Sequence, residues 1–289
     1  MKINRHKVQH DLIERLFRRE IERFDEFYIS ARQKVQNLTL FHDFVASNVY
    51  LAGAVVLPDS SEVARALLLS AQALGAIFAF SLEPPPDDYE LGEGPPVQYS
   101  APIDPSIPDI LLWRKAYDLA LIARQTVPLD YLCRVTKETF QGSSLVGYTD
   151  EEYWLMELKQ RAWQDPNFGW EPLLAKCETL KSRSAECSDL EGIKHVQCLG
   201  IPYLLVLRKL CERDSLGLET VLTEALKLHK QYWSAKASRR KEEVGFVSLP
   251  LLGLAALAWD RGLRFKVESD YLPWSWVTGE VFGRTTGNH

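Results

Sequence analysis

The chain has almost nothing that would make a sheet. Apolar and polar residues alternate in the half-buried strand pattern only once, with Leu263, Phe265 and Val267 set against Arg264, Lys266 and Glu268. Sheet folds are excluded, and at most one or two short strands near the C-terminus are expected. Other absences narrow the function. The five cysteines (Cys133, Cys177, Cys187, Cys198, Cys211) are odd in number and include no Cys-x-x-Cys, which argues against a disulfide framework and a zinc knuckle. Free thiols are expected. No glycine-rich phosphate loop, His-Glu-x-x-His or Gly-x-Ser-x-Gly is present, so no cofactor, metal or catalytic residue is assigned. The longest uncharged run, Ala66 to Leu82, contains Ser70 and Gln72 and falls short of the roughly 20 apolar residues of a membrane span. It reads as a buried helix. The opening residues lack the apolar core of a signal peptide, so the expected location is the cytoplasm. A formal net charge of −5 argues against a protein that holds nucleic acid by phosphate contacts.

What is present is helical periodicity. An apolar fraction of 46% with 25% charged residues suits an ordinary globular protein, and 289 residues can bury a sizeable core. Val8, Leu12, Ile13, Leu16, Phe17, Ile21, Phe24 and Phe27 recur at three- and four-residue steps, which predicts an amphipathic helix over 8–28. Further helices are expected at 39–56, and from a capping box of Asp59 and Glu62 to about Phe80. After a loop over 83–105 come 110–124 and 129–140, a turn at 142–148, and a helix from the Thr149/Glu152 capping box to Gln164. Helices at 171–184, 190–213 (kinked or split at Pro202), 218–233 and 250–262 complete the series, with a basic hinge at Lys236 to Lys241. The fold class is therefore all-α: an irregular bundle or short stack of antiparallel helix hairpins. One domain over 1–289 is expected, with a possible subdivision at the 83–105 loop and a frayed tail at 283–289. No letters repeat at a fixed period, so a repeat array is not expected.

Two clusters could carry chemistry. His6 and His10 stand at i, i+4 beside Asp11, the spacing of two metal ligands on one helix face, but no third ligand stands at motif spacing. His195 and Cys198, with Glu191 a turn earlier, have the spacing of a Cys/His nucleophilic pair in a segment without any nucleophile motif. Both read more simply as ordinary helix residues.

Charge distribution says more than total charge. From Ala66 to Trp113 there is no Lys, Arg or His, while Glu83, Asp87, Asp88, Glu90, Glu93, Asp104 and Asp109 all fall between positions 83 and 109 of that stretch. Tyr89 and Tyr99 lie among them, and aromatic residues bordered by charge are common interface anchors. Asp87, Asp88, Tyr89, Glu90, Glu93 and Tyr99 are the candidate partner-binding residues. A solvated loop whose acidity serves solubility remains the other reading.

The C-terminal third carries a more specific pattern. Pro250 stands where a first helical residue tolerates proline, Gly262 where a helix ends left-handed, and the residues between are apolar on every face. Together with Ala225 to Trp233 and Glu268-Ser-Asp-Tyr-Leu-Pro273, this helix resembles the C-terminal signature of the bacterial immunity protein 49 family, over roughly the last quarter of the chain. Trp233, Trp259, Gly262, Ser269, Asp270, Tyr271 and Pro273 read as structural members of that signature. The resemblance implies a non-catalytic antitoxin that binds a toxin domain, in some systems a basic nuclease, by stoichiometric complex formation. A general helical scaffold and a thiol-dependent enzyme using Cys198 and His195 are the alternatives.

Overall fold

The computed structural model describes residues 2–140, 150–165, 167–187 and 189–283. The expected turn at 142–148 and the Thr149 cap lie outside them, as does the tail beyond Gly283. Among the described residues the chain is helical with no β-ladder, only isolated bridges between Ile3 and Ser269 and between Tyr89 and Val97. It divides into two compact units: Gln9–Tyr148 with Thr278–His289, and Met1–Val8 with Thr149–Val277. The 83–105 loop lies inside the first of these.

In the first unit, α1 (His10–Gln33) buries Ile13, Phe17, Phe24, Tyr28 and Ala31 along one stripe. Glu20 lies in the same stripe with no exposure, and its charge is met by Arg19 at 2.5 Å and Arg23 at 3.0 Å. Because α1 begins at His10, His6 is not on it, and the expected i, i+4 histidine pair on one helix face does not form. The expected 39–56 helix consists of α2 (Asn37–Phe41), a π-helical turn (His42–Ala46) and α3 (Ser47–Val56). Next, α4 (Ser61–Ala79) is capped by Ser60, whose hydroxyl accepts the Val63 amide at 3.3 Å, one residue beyond the expected Asp59 cap. Asp109 caps α5 (Ile110–Ile122) by accepting the Leu112 amide at 2.7 Å, and α6 (Thr126–Leu132) follows. The helices α2, α3, α5 and α6 all pack on α4, and α1 packs on α2 and α3.

The second unit contains α7 (Asp150–Gln164), α8 (Glu171–Cys187), α9 (Leu190–His195), a π-helical turn (Val196–Gly200), α10 (Ile201–Cys211), α11 (Ser215–Ser234), α12 (Leu249–Asp260) and α13 (Trp274–Thr278), whose last residue falls in the first unit. Pro202 enters at the first turn of α10, where a missing amide is tolerated, so the expected kink takes the form of the π-helical turn just before it. The order of elements repeats that of the first unit. There, α2, the π-helical turn, α3 and α4 start at Asn37, His42, Ser47 and Ser61; here, α9, the turn, α10 and α11 start at Leu190, Val196, Ile201 and Ser215. A long helix precedes each set and packs on it.

By length and hydropathy, the stretches Asn37–Val56, Ser61–Ala79 and Glu243–Asp260 could cross a membrane, but their apolar windows are 56%, 72% and 67% buried inside the fold. Helix α12 is the extreme case, with Leu251 through Ala258 all buried, and it stops at Gly262, whose φ of +83° is favourable only without a side chain. Beyond it Leu263, Phe265 and Val267 are buried and Arg264, Lys266 and Glu268 exposed. The expected alternation is present, but the segment has no ladder partner and is an extended strap rather than a strand.

That strap ends in a clamp on the chain's start. Ile3 exchanges backbone hydrogen bonds with Glu268 and Asp270 at 2.9 and 3.1 Å, and the Asp270 carboxylate accepts the Arg5 amide at 3.0 Å and pairs with Lys2 at 2.7 Å. Burial alone would raise the Asp270 pKa, yet Lys2 and Arg5 together hold it below the ordinary value. The buried Tyr271 hydroxyl accepts the His6 amide at 2.8 Å and lies 2.9 Å from His6 Nδ1. His229 stands edge-on to the Tyr271 ring at 4.7 Å, with Nε2 3.2 Å from the Gly245 carbonyl.

Burial holds His229 at a pKa of about 3, and holds His6 below its ordinary value of 6.5. The unfolded chain therefore binds protons below pH 6.5 that these histidines refuse in the folded state, so their contribution to stability is complete above 6.5 and falls as pH drops toward 3. Urea unfolding free energies should be flat from pH 6.5 to about 8, below the range where the buried thiols begin to titrate in the unfolded chain, and decline below pH 6.5 by up to about 1.4 kcal/mol per pH unit per histidine. The substitution His229→Gln should make that decline shallower. An unchanged slope would show that His229 is not neutral in the core.

Candidate functional site

The acidic segment between α4 and α5 is built on the first unit's helices. An extended backbone sends successive side chains to opposite sides, and here Tyr89 and Leu91 point inward while Asp88 and Glu90 point out. Tyr89 and Val97 form a two-way antiparallel bridge at 3.0 and 2.8 Å. The Tyr28 hydroxyl of α1 donates to the Leu91 carbonyl at 2.8 Å, and the Arg32 guanidinium donates to the carbonyls of Leu91 and Pro95. From α4, Gln72 Oε1 accepts the Gly92 amide at 2.7 Å. Tyr99 donates to the Ala31 carbonyl at 2.7 Å and stands edge-on to Phe80 at 5.0 Å.

The six candidate residues therefore separate into two groups. Asp87, Asp88, Glu90 and Glu93 are exposed, and no ion pair involves them among the described residues. Tyr89 is only 2% exposed and Tyr99 spends its hydroxyl on α1, so the aromatic residues anchor the loop to its own fold and Tyr89 offers no surface to a partner. Asp104 and Asp109 are committed locally. Asp104 accepts the Ser106 amide at 2.9 Å, which with the Ser106 hydroxyl lowers its pKa, and Asp109 caps α5. The loop outlines were legible from the prolines, but the anchoring by Tyr28, Arg32 and Gln72 was not, because those residues lie one or two elements away and carry no local signal.

The signature residues have structural surroundings. Trp233 lies flat on Gly245, where a Cβ would come within 2.6 Å of the indole, and Tyr271 is fully buried in the clamp. Ser269 accepts the Tyr271 amide at 3.2 Å, and the carbonyl of Pro273 accepts the Trp276 amide at 3.1 Å as α13 starts. Trp276 is fully buried. Trp274 is partly exposed and meets Trp259 edge-on at 5.3 Å beside Phe265, on the wall of a groove of about 630 Å3.

Among the described residues, Cys133, Cys198 and Cys211 stand where burial disfavours the thiolate. Burial raises the pKa of Cys133 to about 12 and that of Cys211 to about 11. Burial also pushes Cys198 above its ordinary value despite Arg239 and Lys194 nearby, the opposite of what a nucleophile requires. The side chain of Cys187 lies outside the described ones. Among the described residues no group of three His, Cys, Asp or Glu could hold a metal ion.

A family model described as Immunity protein 49 matches residues 57–276. That range starts just before α4 and runs through the loop, α12 and the C-terminal half of the clamp, well beyond the C-terminal signature. No curated protein and no solved structure matches the chain.

One orphan group tests how the loop is held. The Tyr89 hydroxyl is buried without a hydrogen-bond partner, against Gly75 of α4, where a Cβ would come within 2.6 Å of it. An unsatisfied buried hydroxyl costs about 1–3 kcal/mol, so Tyr89→Phe should be neutral or raise stability by about 1 kcal/mol. Gly75→Val should lower it by about 1–3 kcal/mol through overpacking against Tyr89 and Pro128. Thermal denaturation reads both; a clear loss for Tyr89→Phe would reveal a partner for the hydroxyl.

Proposed function

The chain belongs to the immunity protein 49 family, and from that premise we propose that it binds the toxic domain of a cognate protein toxin in the producing cell's cytoplasm. Inhibition is by stoichiometric complex formation, without turnover. The observation that carries the reading is the acidic edge of the first unit: four exposed carboxylates, in no ion pair among the described residues, on a loop fixed by hydrogen bonds from two helices.

A pre-ordered loop loses little conformational entropy when it binds, because its backbone is already fixed. Four like charges outside any internal ion pair raise the local potential, which speeds encounter with a basic partner and disfavours an acidic one. The partner favoured by this surface is thus a basic toxin domain, of which a nuclease is the leading example. Nothing in the site calls for chemistry on the toxin; covering it suffices.

Co-expression with the toxic domain encoded beside this gene should rescue growth, and the two chains should co-purify. Replacing Asp87, Asp88, Glu90 and Glu93 together by lysine should slow association by about 10- to 100-fold at low salt and flatten its dependence on ionic strength. All four are exposed, so the fold should survive. Wild-type association rates and salt dependence in the lysine variant would remove this surface from the account, and failure of both rescue and co-purification would remove the function.

A further inference from the structure

Beside the acidic loop the first unit has a cleft of about 690 Å3, walled by Phe80, Leu82, Pro85, Pro102, Ile103 and Pro108. Proline walls are rigid and lack amide donors, so they offer flat apolar surface and no competing backbone hydrogen bond. The lining also carries polar groups: the carboxylates of Glu83 and Glu138, the hydroxyls of Ser81, Thr136 and Thr139, and the guanidinium of Arg134. Both carboxylates are exposed. Glu83 takes part in no ion pair among the described residues, and Glu138 accepts the Thr136 hydroxyl at 2.6 Å. The one cation on the lining, Arg134, has its guanidinium carbon 5.1 Å over the Tyr131 ring.

We infer that this cleft receives an arginine side chain from the basic partner, an inference that rests on the toxin-binding reading above and names its anchor. The lining combines apolar wall with carboxylate, as an arginine combines an aliphatic stem with a cationic head. The aliphatic stem of arginine covers apolar surface while its head stays with charge and water, so the stem lies along the prolines and Phe80. The planar guanidinium then meets carboxylates at Glu83 and Glu138, where paired N–H donors give charge-assisted hydrogen bonds that a lysine cannot match in geometry. Asp87, Asp88 and Asp104 stand a few residues from the lining prolines, and no lysine, arginine or histidine occurs between Ala66 and Trp113. Around the cleft, Glu83, Glu138 and these aspartates outnumber Arg134 on the lining and Lys137 beside Glu138, so an entering cation meets a net attractive field, and an anion a repulsive one. Arginine is also among the residues that dominate protein interfaces when seated in a pocket.

The test uses the full chain and two probes. In amide-resolved NMR titrations, N-acetyl-arginine N-methylamide should shift Glu83, Ile103, Thr136 and Thr139. N-acetyl-norleucine N-methylamide, similar in stem but uncharged, should bind at least about tenfold more weakly. The double variant Glu83→Gln, Glu138→Gln keeps the size of both side chains and should erase the difference. No response at these residues, or an equal response to the two probes, overturns the assignment and leaves toxin binding untouched. In a titration with the toxic domain encoded beside the gene, Thr136→Arg, which fills the cleft from within, should weaken binding by about tenfold or more. Unchanged affinity for that variant while the wild type binds overturns the cleft alone; no binding by the wild type overturns the function itself.

Discussion

A helix that is apolar on every face has to be covered on every face, and α4 sets that requirement for the first unit. From Ala66 to Ala79 nearly every side chain is buried, and α2, α3, α5 and α6 cover most of its circumference. The acidic loop is part of the remaining cover. Tyr89 reaches Gly75, Gln72 takes the amide of Gly92, and Leu91 and Val97 are buried beside them. One side of the loop is therefore recruited to the core by hydrophobic burial, and the pleat of an extended chain sends the intervening carboxylates outward. Exposure of Asp88 and Glu90 is thus a consequence of how α4 is buried. The same backbone thus carries core residues on one face and free carboxylates on the other.

The second unit meets a similar requirement differently. Its all-apolar helix, α12, packs on α10, and the segment that follows returns as an extended strap to hold the first residues of the chain through Ser269, Asp270 and Tyr271. Both units share one order of long helix, short helix, π-helical turn, helix and helix. The connections after the repeat differ in chemistry, acidic and long after α4, short and basic after α11, where Lys236 and Arg239 are engaged by Glu191. On the acidic one, Asp87, Asp88, Glu90 and Glu93 are in no ion pair among the described residues, which is why the proposed partner is assigned to it.

The helices were legible because three- and four-residue periodicity survives in a single sequence, and the all-α class followed from the near absence of any other pattern. Ends were less legible: Ser60 rather than Asp59 caps α4, since either residue type can cap and only backbone geometry decides. The repeat was invisible because burial constrains apolar character and spacing, not letters. The alternation at 263–268 was real, but alternation reports one-sided burial and not the presence of a partner strand. At the site, the exposed carboxylates were found from charge alone. Tyr89 was misjudged as a surface anchor because an aromatic residue among acids looks the same in sequence whether it faces a partner or its own core; only the small size of Gly75 hints at the latter.

The central claim is that the partner covers the acidic face of the loop and its neighbouring cleft, leaving the signature region to hold the fold. Hydrogen exchange measured by mass spectrometry on the chain alone and in complex with a toxin domain that it is found to bind addresses this directly. The account predicts that added protection on complex formation centres on residues 83–109 and 134–139, with the segment from α12 through Pro273 unchanged. Protection centred on the groove at Trp259 and Trp274, with the acidic loop exchanging as it does in the free protein, would contradict it.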